Sequence, residues 1–136
     1  MKRILILLTL MFAAFATYAQ DKVVYHFDGG LAQATKGLRN IRNHLDTDST
    51  AKVVVVAHAE GVDFLMEGAK TTNNQDFSAL VGDLMGRGVK FEICEITLKN
   101  RKLTKEQFIL GPTFTTSGVV RIANLQARDQ FVYIKP

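Results

Sequence analysis

The fold is decided by a short stretch near the middle of the chain, Val53-Val54-Val55-Val56-Ala57-His58. Consecutive β-branched residues are typical of a strand that is covered on both faces, as the inner strands of parallel sheets are. We therefore predict that this stretch is the central strand of a parallel sheet.

Upstream of this strand, the sequence predicts another strand and a helix. Lys22 to Asp28 is rich in β-branched and aromatic residues, and Gly29-Gly30 ends it. The helix follows because apolar residues recur at a helical period, namely at Leu31, Ala34, Leu38, Ile41 and Leu45. A helix with one apolar stripe is expected to lie on the sheet.

Downstream, helical and strand patterns alternate again. A short helical stretch is predicted around residues 62–68, and an amphipathic helix over Phe77 to Met85. Val89 to Cys94 alternates apolar residues with Lys90, Glu92 and Cys94. This period of two predicts a strand with one apolar and one polar face.

The last third of the chain predicts four further elements. Thr104 and Gln107 have the spacing of a capping box, which indicates a short helix that Gly111-Pro112 ends. The pattern then predicts a brief strand, a helix and a closing strand: Phe114-Thr115, Val119 to Ala127 and Phe131 to Ile134.

Strands that alternate with helices favour right-handed crossovers and a sheet with helices on both faces. We expect a three-layer α/β/α domain with a five-stranded, mainly parallel sheet. Ligands collect outside the carboxyl ends of such strands. The candidate positions are therefore Asp28-Gly29-Gly30, His58 to Gly61, Cys94 to Thr97 and Thr115 to Gly118.

Composition limits the possible function classes. The chain has 136 residues, of which 47% are hydrophobic and 22% charged, as expected of one globular domain and not of a disordered protein. Its single Cys excludes a disulfide framework and a four-Cys zinc site. Half of the formal charge of +4 comes from Lys2 and Arg3, so we predict no nucleic-acid partner.

The N-terminus predicts a signal peptide. Lys2 and Arg3 precede an apolar run from Ile4 to Ala16, and the small residues Thr17 and Ala19 suit signal peptidase. The run is shorter than the roughly 20 residues that a spanning helix needs. We predict cleavage after Ala19, a mature domain over 20–136, no membrane segment after cleavage, and a periplasmic or otherwise exported location.

Cys94 is the candidate nucleophile. It ends a predicted strand and precedes a turn of helix whose N–H groups favour the thiolate and so lower the thiol pKa. Glu92 and Glu95 raise that pKa if they lie close. The alternative is an inert core thiol, since free Cys is among the most buried residue types.

His58 is the candidate partner of Cys94, because it ends the central strand at the same edge of the sheet. A neutral imidazole there can take the thiol proton and pair with the thiolate. The alternative is a hydrogen-bonded structural residue. His26 and His44 lie on other predicted elements, so no pair shows metal-ligand spacing, and we predict neither a metal nor a cofactor.

Three other polar segments have plain structural interpretations. Asp28-Gly29-Gly30 lacks the glycine spacing of nucleotide sites and is predicted to be a turn. Thr115 to Gly118 is predicted to cap a helix. The basic run of Lys99, Arg101, Lys102 and Lys105 indicates a solvated face, or else a patch that steers an anionic sulfur species.

The chain resembles the DsrE/DsrF-like family, in its small, exported, single-domain branch. The resemblance covers almost the whole mature chain and rests on the order and spacing of several segments. These are the valine run with Gly61 to Leu65, Gly88 to Cys94 with Thr97-Leu98-Lys99, Ser117-Gly118-Val119, and Leu125-Gln126-Ala127 with Tyr133 to Pro136.

The resemblance implies a five-stranded parallel sheet, assembly into homotrimers or hexamers, and a role in sulfur relay. In such proteins a Cys after the third strand accepts a sulfane sulfur as a persulfide and passes it on. Cys94 falls on that position, and His58 matches a His that recurs in this branch. Two features depart from the family: the turn Ala59-Glu60, and export itself.

The resulting hypothesis is that Cys94, assisted by His58, carries a persulfide. The protein would be at most a sulfurtransferase-like carrier, and the sequence identifies neither the sulfur donor nor the acceptor thiol protein. The alternative is a non-catalytic oligomeric binding or scaffold protein with the same fold and a buried Cys94.

Overall fold

One sheet of five strands organises residues 20–136, the part of the chain that this computed structural model describes. The predicted signal peptide, residues 1–19, lies outside the described residues. The strands are β1 (Lys22–Phe27), β2 (Lys52–Ala57), β3 (Lys90–Cys94), β4 (Thr113–Thr115) and β5 (Val132–Ile134). They are all parallel, in the order β4-β3-β2-β1-β5, so the valine run is central as predicted.

Helices cover both faces of the sheet, which confirms the three-layer α/β prediction. They are α1 (Leu31–Thr47), α2 (Phe77–Gly86), α3 (Glu95–Arg101) and α4 (Gly118–Ala127), with 3₁₀ helices at Ala59–Leu65 and Lys105–Gln107. Among residues 20–136, no helix combines the length and the apolar character that crossing a membrane requires.

Strand alternation divides the core into two apolar clusters. Odd-numbered residues of the inner strands, such as Phe27 and Val55, pack with Ile41 of α1 and Leu84 of α2. Even-numbered residues face α4 instead, in the cluster of Val24, Val54, Val56, Ile122, Leu125 and Phe131. Successive side chains of a strand point to opposite faces, so both faces of the central strand are buried.

The helix predicted from the capping box at Thr104 is much shorter than expected. The capping box is present, but only one 3₁₀ turn forms. The chain then pairs with another segment: the Ile109 N–H donates to the Leu65 carbonyl at 3.0 Å, and the Glu67 N–H donates to the Gln107 carbonyl at 2.9 Å. These long-range bonds replace the i to i−4 bonds that would continue a helix.

The 3₁₀ helix after β2 begins earlier than the sequence indicates, directly after His58, and Gly61 allows it to do so. A Cβ atom at Gly61 would lie 2.6 Å from the Asp28 backbone nitrogen and even closer to the Phe27 carbonyl. Because both neighbours are backbone, they have little freedom to move aside. Glycine therefore sets the distance between this turn and the end of β1.

We predict that Gly61→Ala destabilises the protein by at least about 2 kcal/mol, since overpacking against backbone forces the chain to shift. Gly82→Ala is the matched control, because an added Cβ there meets nothing within 4 Å inside α2. That change should stabilise by about 0.5–1 kcal/mol through helix propensity. Urea unfolding measures both, and equal stability of the two variants would contradict the close approach at Gly61.

Candidate functional site

A row of polar side chains crosses the sheet on the face that α4 covers, at the carboxyl ends of the strands. Cys94 ends β3, His58 follows β2, His26 lies near the end of β1, and Tyr133 lies on β5. These strands are neighbours in the sheet. The parallel register therefore places residues next to each other that are far apart in sequence.

The first turn of α4 closes over the Cys94 end of this row. A Cβ atom at Gly118 would lie 3.3 Å from Cβ of Cys94 and 3.3 Å from Cβ of His58. The glycine thus lets the backbone approach both side chains at once. This contact places Cys94 and His58 at the same rim, as the sequence predicted.

The surroundings of Cys94 lower its pKa. Burial is the largest influence and raises the pKa, whereas the nearby N–H groups of Gly118, Thr97 and Ile96 and the Thr97 hydroxyl favour the thiolate and lower it. Together these donors outweigh the burial, so the pKa lies below the ordinary value of a thiol. This direction is the one expected from the amides after Cys94, and Gly118 of α4 adds a donor that the sequence did not indicate.

The Thr97 hydroxyl connects the sulfur to the turn after β2. Its oxygen accepts a hydrogen bond from the Ala59 N–H at 2.9 Å, which leaves its proton free to be donated to Cys94. Thr97 itself is buried. Arg101 holds the other side of the turn, since its guanidinium donates to the Ala59 carbonyl at 2.9 Å.

Cys94 is only 4% exposed, yet it lines an open cavity of about 390 Å³. His58, Ile96, Thr97, Arg101 and Val119 contribute to the wall. The start of α4 lies against Cys94. We therefore expect a reagent to reach the thiol through this cavity.

The polar face predicted for β3 lies under α4. Lys90, at the start of the strand, is exposed, but Glu92 is only 8% exposed. Arg121 of α4 forms two hydrogen bonds to the Glu92 carboxylate, at 2.7 and 2.9 Å. Glu95 likewise pairs with Lys105 at 2.5 Å. The two carboxylates that the sequence analysis named as able to raise the pKa of Cys94 are therefore each paired with a cation.

His58 lies against His26. Their ring centroids are 4.7 Å apart and the two Nε2 atoms are 2.5 Å apart, so the rings meet edge to edge through these nitrogens. The Tyr133 hydroxyl contacts His26 Nδ1 at 2.6 Å. Burial, and then the neighbouring His58, lower the pKa of His26. Because His58 Nε2 already faces another imidazole, its role as a base toward Cys94 stays a prediction.

Asp28 completes a cluster that sequence spacing did not reveal. Its Oδ2 lies 4.0 Å from His26 Nε2 and 2.7 Å from Lys135 Nζ. The hydrogen bond from Lys135 lowers the pKa of Asp28. The sequence signal for this cluster was His26, a polar residue within the apolar run from Val23 to Phe27. Its partner His58 follows β2, and a motif within one segment cannot detect a contact between two strands.

The other polar segments behave as structural elements. The backbone N–H groups of Asp28 and Gly29 both donate to the Gln33 side-chain oxygen, at 3.0 and 2.6 Å. These two amides of the turn therefore already have a hydrogen-bond acceptor within the protein. The Ser117 hydroxyl accepts from the Val120 N–H at 3.4 Å, which confirms the predicted cap of the last helix.

Comparisons with known proteins agree with this architecture. The structure of a protein of unknown function, MTH1491 from Methanobacterium thermoautotrophicum, is 26% identical, with a TM-score of 0.76. It aligns over 86% of this chain and 100% of its own. The E. coli ychN protein has the same coverage at 15% identity, with a TM-score of 0.73, and shows the shared fold alone.

No curated protein matches the chain. The family comparison does give a match: the model of the DsrE/DsrF-like family aligns with residues 7–135, nearly the whole sequence. This confirms the resemblance drawn from the strand and turn segments. The chain belongs to the DsrE/DsrF-like family.

Proposed function

We propose that the protein carries sulfane sulfur as a persulfide on Cys94. The observation that carries the proposal is the placement of Cys94 in an open cavity with donors that favour its thiolate. The thiolate, and not the thiol, is the nucleophile in sulfur chemistry. A merely structural core thiol needs neither a lowered pKa nor an adjoining cleft.

The transfer needs no additional oxidant or reductant. The Cys94 thiolate attacks the terminal sulfur of a donor persulfide, RS–SH. A sulfur–sulfur bond forms to Cys94, and the donor's own bond breaks. The donor leaves as RS⁻ with the electron pair, and the proton stays on the transferred sulfur. An acceptor thiolate then attacks that sulfur and releases Cys94 as its thiolate.

The N–H groups around Cys94, more than the charged side chains of the wall, suit a small anionic donor. Arg101 and Glu60 line the cavity with opposite charges, and Asp63 pairs with Arg101 at 2.7 Å. The N–H groups of Gly118, Thr97 and Ile96 stabilise negative charge on the sulfur. These features favour a polysulfide or a low-molecular-weight persulfide as donor.

A non-catalytic binding or scaffold protein is the second candidate, and the 4% exposure of Cys94 favours it. The two functions differ in thiol accessibility. A carrier reacts with a small thiol reagent while folded, whereas a sealed thiol reacts only after denaturation. Titration of the folded protein therefore discriminates between them.

We also propose that the protein is exported and forms a homo-oligomer. The apolar run from Ile4 to Ala16, followed by Thr17 and Ala19, supports export. Exposed apolar side chains near the mouth of the cavity support contact with another copy: Ile96, Val119 and Val120.

Cys94→Ser should abolish sulfur loading without unfolding the protein. After incubation with polysulfide and removal of the excess, the intact wild-type chain should gain the mass of one sulfur atom, and the variant should gain none. Circular dichroism checks that the variant is folded. Equal loading of the variant, or no loading of a wild-type thiol shown to be accessible, would rule out the carrier function.

Thr97→Val should raise the pKa of Cys94, because it removes the hydroxyl donor. The rate of alkylation depends on the fraction of Cys94 that is thiolate. The pH at which this rate increases should therefore be higher in Thr97→Val than in the wild-type protein. Thr97→Ser, which keeps the hydroxyl, is the matched control. In the folded wild-type protein, the alkylation rate should increase at a lower pH than in the denatured chain. Coincident profiles would show that the fold does not favour the thiolate.

Expression in a bacterium with an export pathway should yield a chain that starts at Gln20. Intact mass and N-terminal sequencing of the protein released from the periplasm measure this. Replacing Ala19 with a bulky residue should block processing, because the peptidase pocket takes small side chains. A full-length chain that stays in the cytoplasm would contradict the proposal.

A further inference from the structure

We propose that His26, Asp28 and His58 form a binding site for a divalent first-row transition metal ion such as Zn²⁺. One ligand atom from each residue lies within 4.8 Å of the other two. Two imidazoles and one carboxylate are a donor set that such ions prefer. The site goes beyond the proposed persulfide chemistry, because it does not use the sulfur.

Two neighbouring strands hold the three side chains. His26 and Asp28 are two positions apart at the end of β1 and so project from the same side of the chain. His58 directly follows β2, which pairs with β1 in register up to Phe27 and Ala57. Sites built on paired strands have better-defined geometry than sites on loops.

The convergence of the two imidazoles points to a cation between them. Their Nε2 atoms are 2.5 Å apart, a distance at which two lone pairs would repel. Either a shared proton or a metal ion relieves that repulsion. Zn–N bonds of about 2.0–2.1 Å in a tetrahedral site place two nitrogens roughly 3.3 Å apart. To accept an ion, the two nitrogens need to separate by roughly 1 Å, and the rings need to turn so that both lone pairs point at the ion.

Surrounding groups are arranged to support the proposed ligands. When His26 Nδ1–H donates to the Tyr133 oxygen, 2.6 Å away, the Nε2 atom keeps its lone pair for a metal. The Gln33 amide donates to Asp28 Oδ1 at 3.3 Å and holds the carboxylate. Lys135 now occupies Asp28 Oδ2, but its side chain is 50% exposed and can move into solvent when an ion takes its place.

Three protein ligands leave a fourth tetrahedral position for water or another small ligand. His58 also lines the cavity that contains Cys94. The ion would therefore be held next to the sulfur cavity without Cys94 as a ligand. His58 belongs to both sets of residues but Cys94 does not, so metal binding can be tested in Cys94→Ser, a variant that cannot load sulfur.

The test is Zn²⁺ binding to the purified, untagged protein, measured by calorimetry and by competition with a chromogenic chelator. We expect one ion per chain, and at least a tenfold loss of affinity in His26→Ala, His58→Ala and Asp28→Asn. Tyr133→Phe should weaken binding by about tenfold, as is typical of groups that orient a ligand. His44→Ala is the matched control, since His44 contacts Tyr25 away from the site.

Cobalt substitution identifies the ligands by a second readout. The Co²⁺ form should show ligand-field bands without a thiolate charge-transfer band, and Cys94→Ser should leave both the spectrum and the affinity unchanged. A thiolate band in the wild-type protein would overturn the proposed ligand set. Absence of binding, or equal affinity in folded His26→Ala and wild type, would show that only a proton joins the two imidazoles.

Discussion

The close contact between the start of α4 and the ends of β2 and β3 is the constraint on which the site depends. Gly118 has no side chain to keep the helix away from Cys94 and His58, and its N–H reaches the sulfur. Burial alone would raise the thiol pKa and make Cys94 inert. A hydrogen bond to a charged group contributes about 1.5–3 kcal/mol, so several donors together can outweigh the cost of removing a thiolate from water.

Periodicity predicted the order and type of nearly all the elements, because each helix and strand has its own repeat of apolar residues. It failed where contacts between distant segments decide the outcome. The helix after Thr104 is cut short because Ile109 pairs with Leu65. Alternation distinguished the polar face of β3 from its apolar face, but it did not show which residues of the polar face are buried. Glu92 is buried by a helix that brings Arg121 from 29 positions away.

The histidine cluster is a second case in which a contact between distant segments was not predicted from the sequence. Motif spacing finds ligands that share one helix or one loop, whereas His26 and His58 meet through the register of two parallel strands. The sequence alone gave no reason to pair them, and it led to the expectation that no metal site exists. The structure brings together the donor atoms that this expectation treated as scattered.

The turn after His58 joins the sulfur and the histidines into one unit. Ala59 has a φ of 51°, a left-handed conformation that costs an L-residue roughly 1–2 kcal/mol. Thr97 and Arg101 hold it there through the Ala59 N–H and carbonyl. The Thr97 hydroxyl that fixes this turn also lowers the pKa of Cys94. A change in charge on the sulfur therefore acts on the same hydroxyl that positions the backbone next to His58.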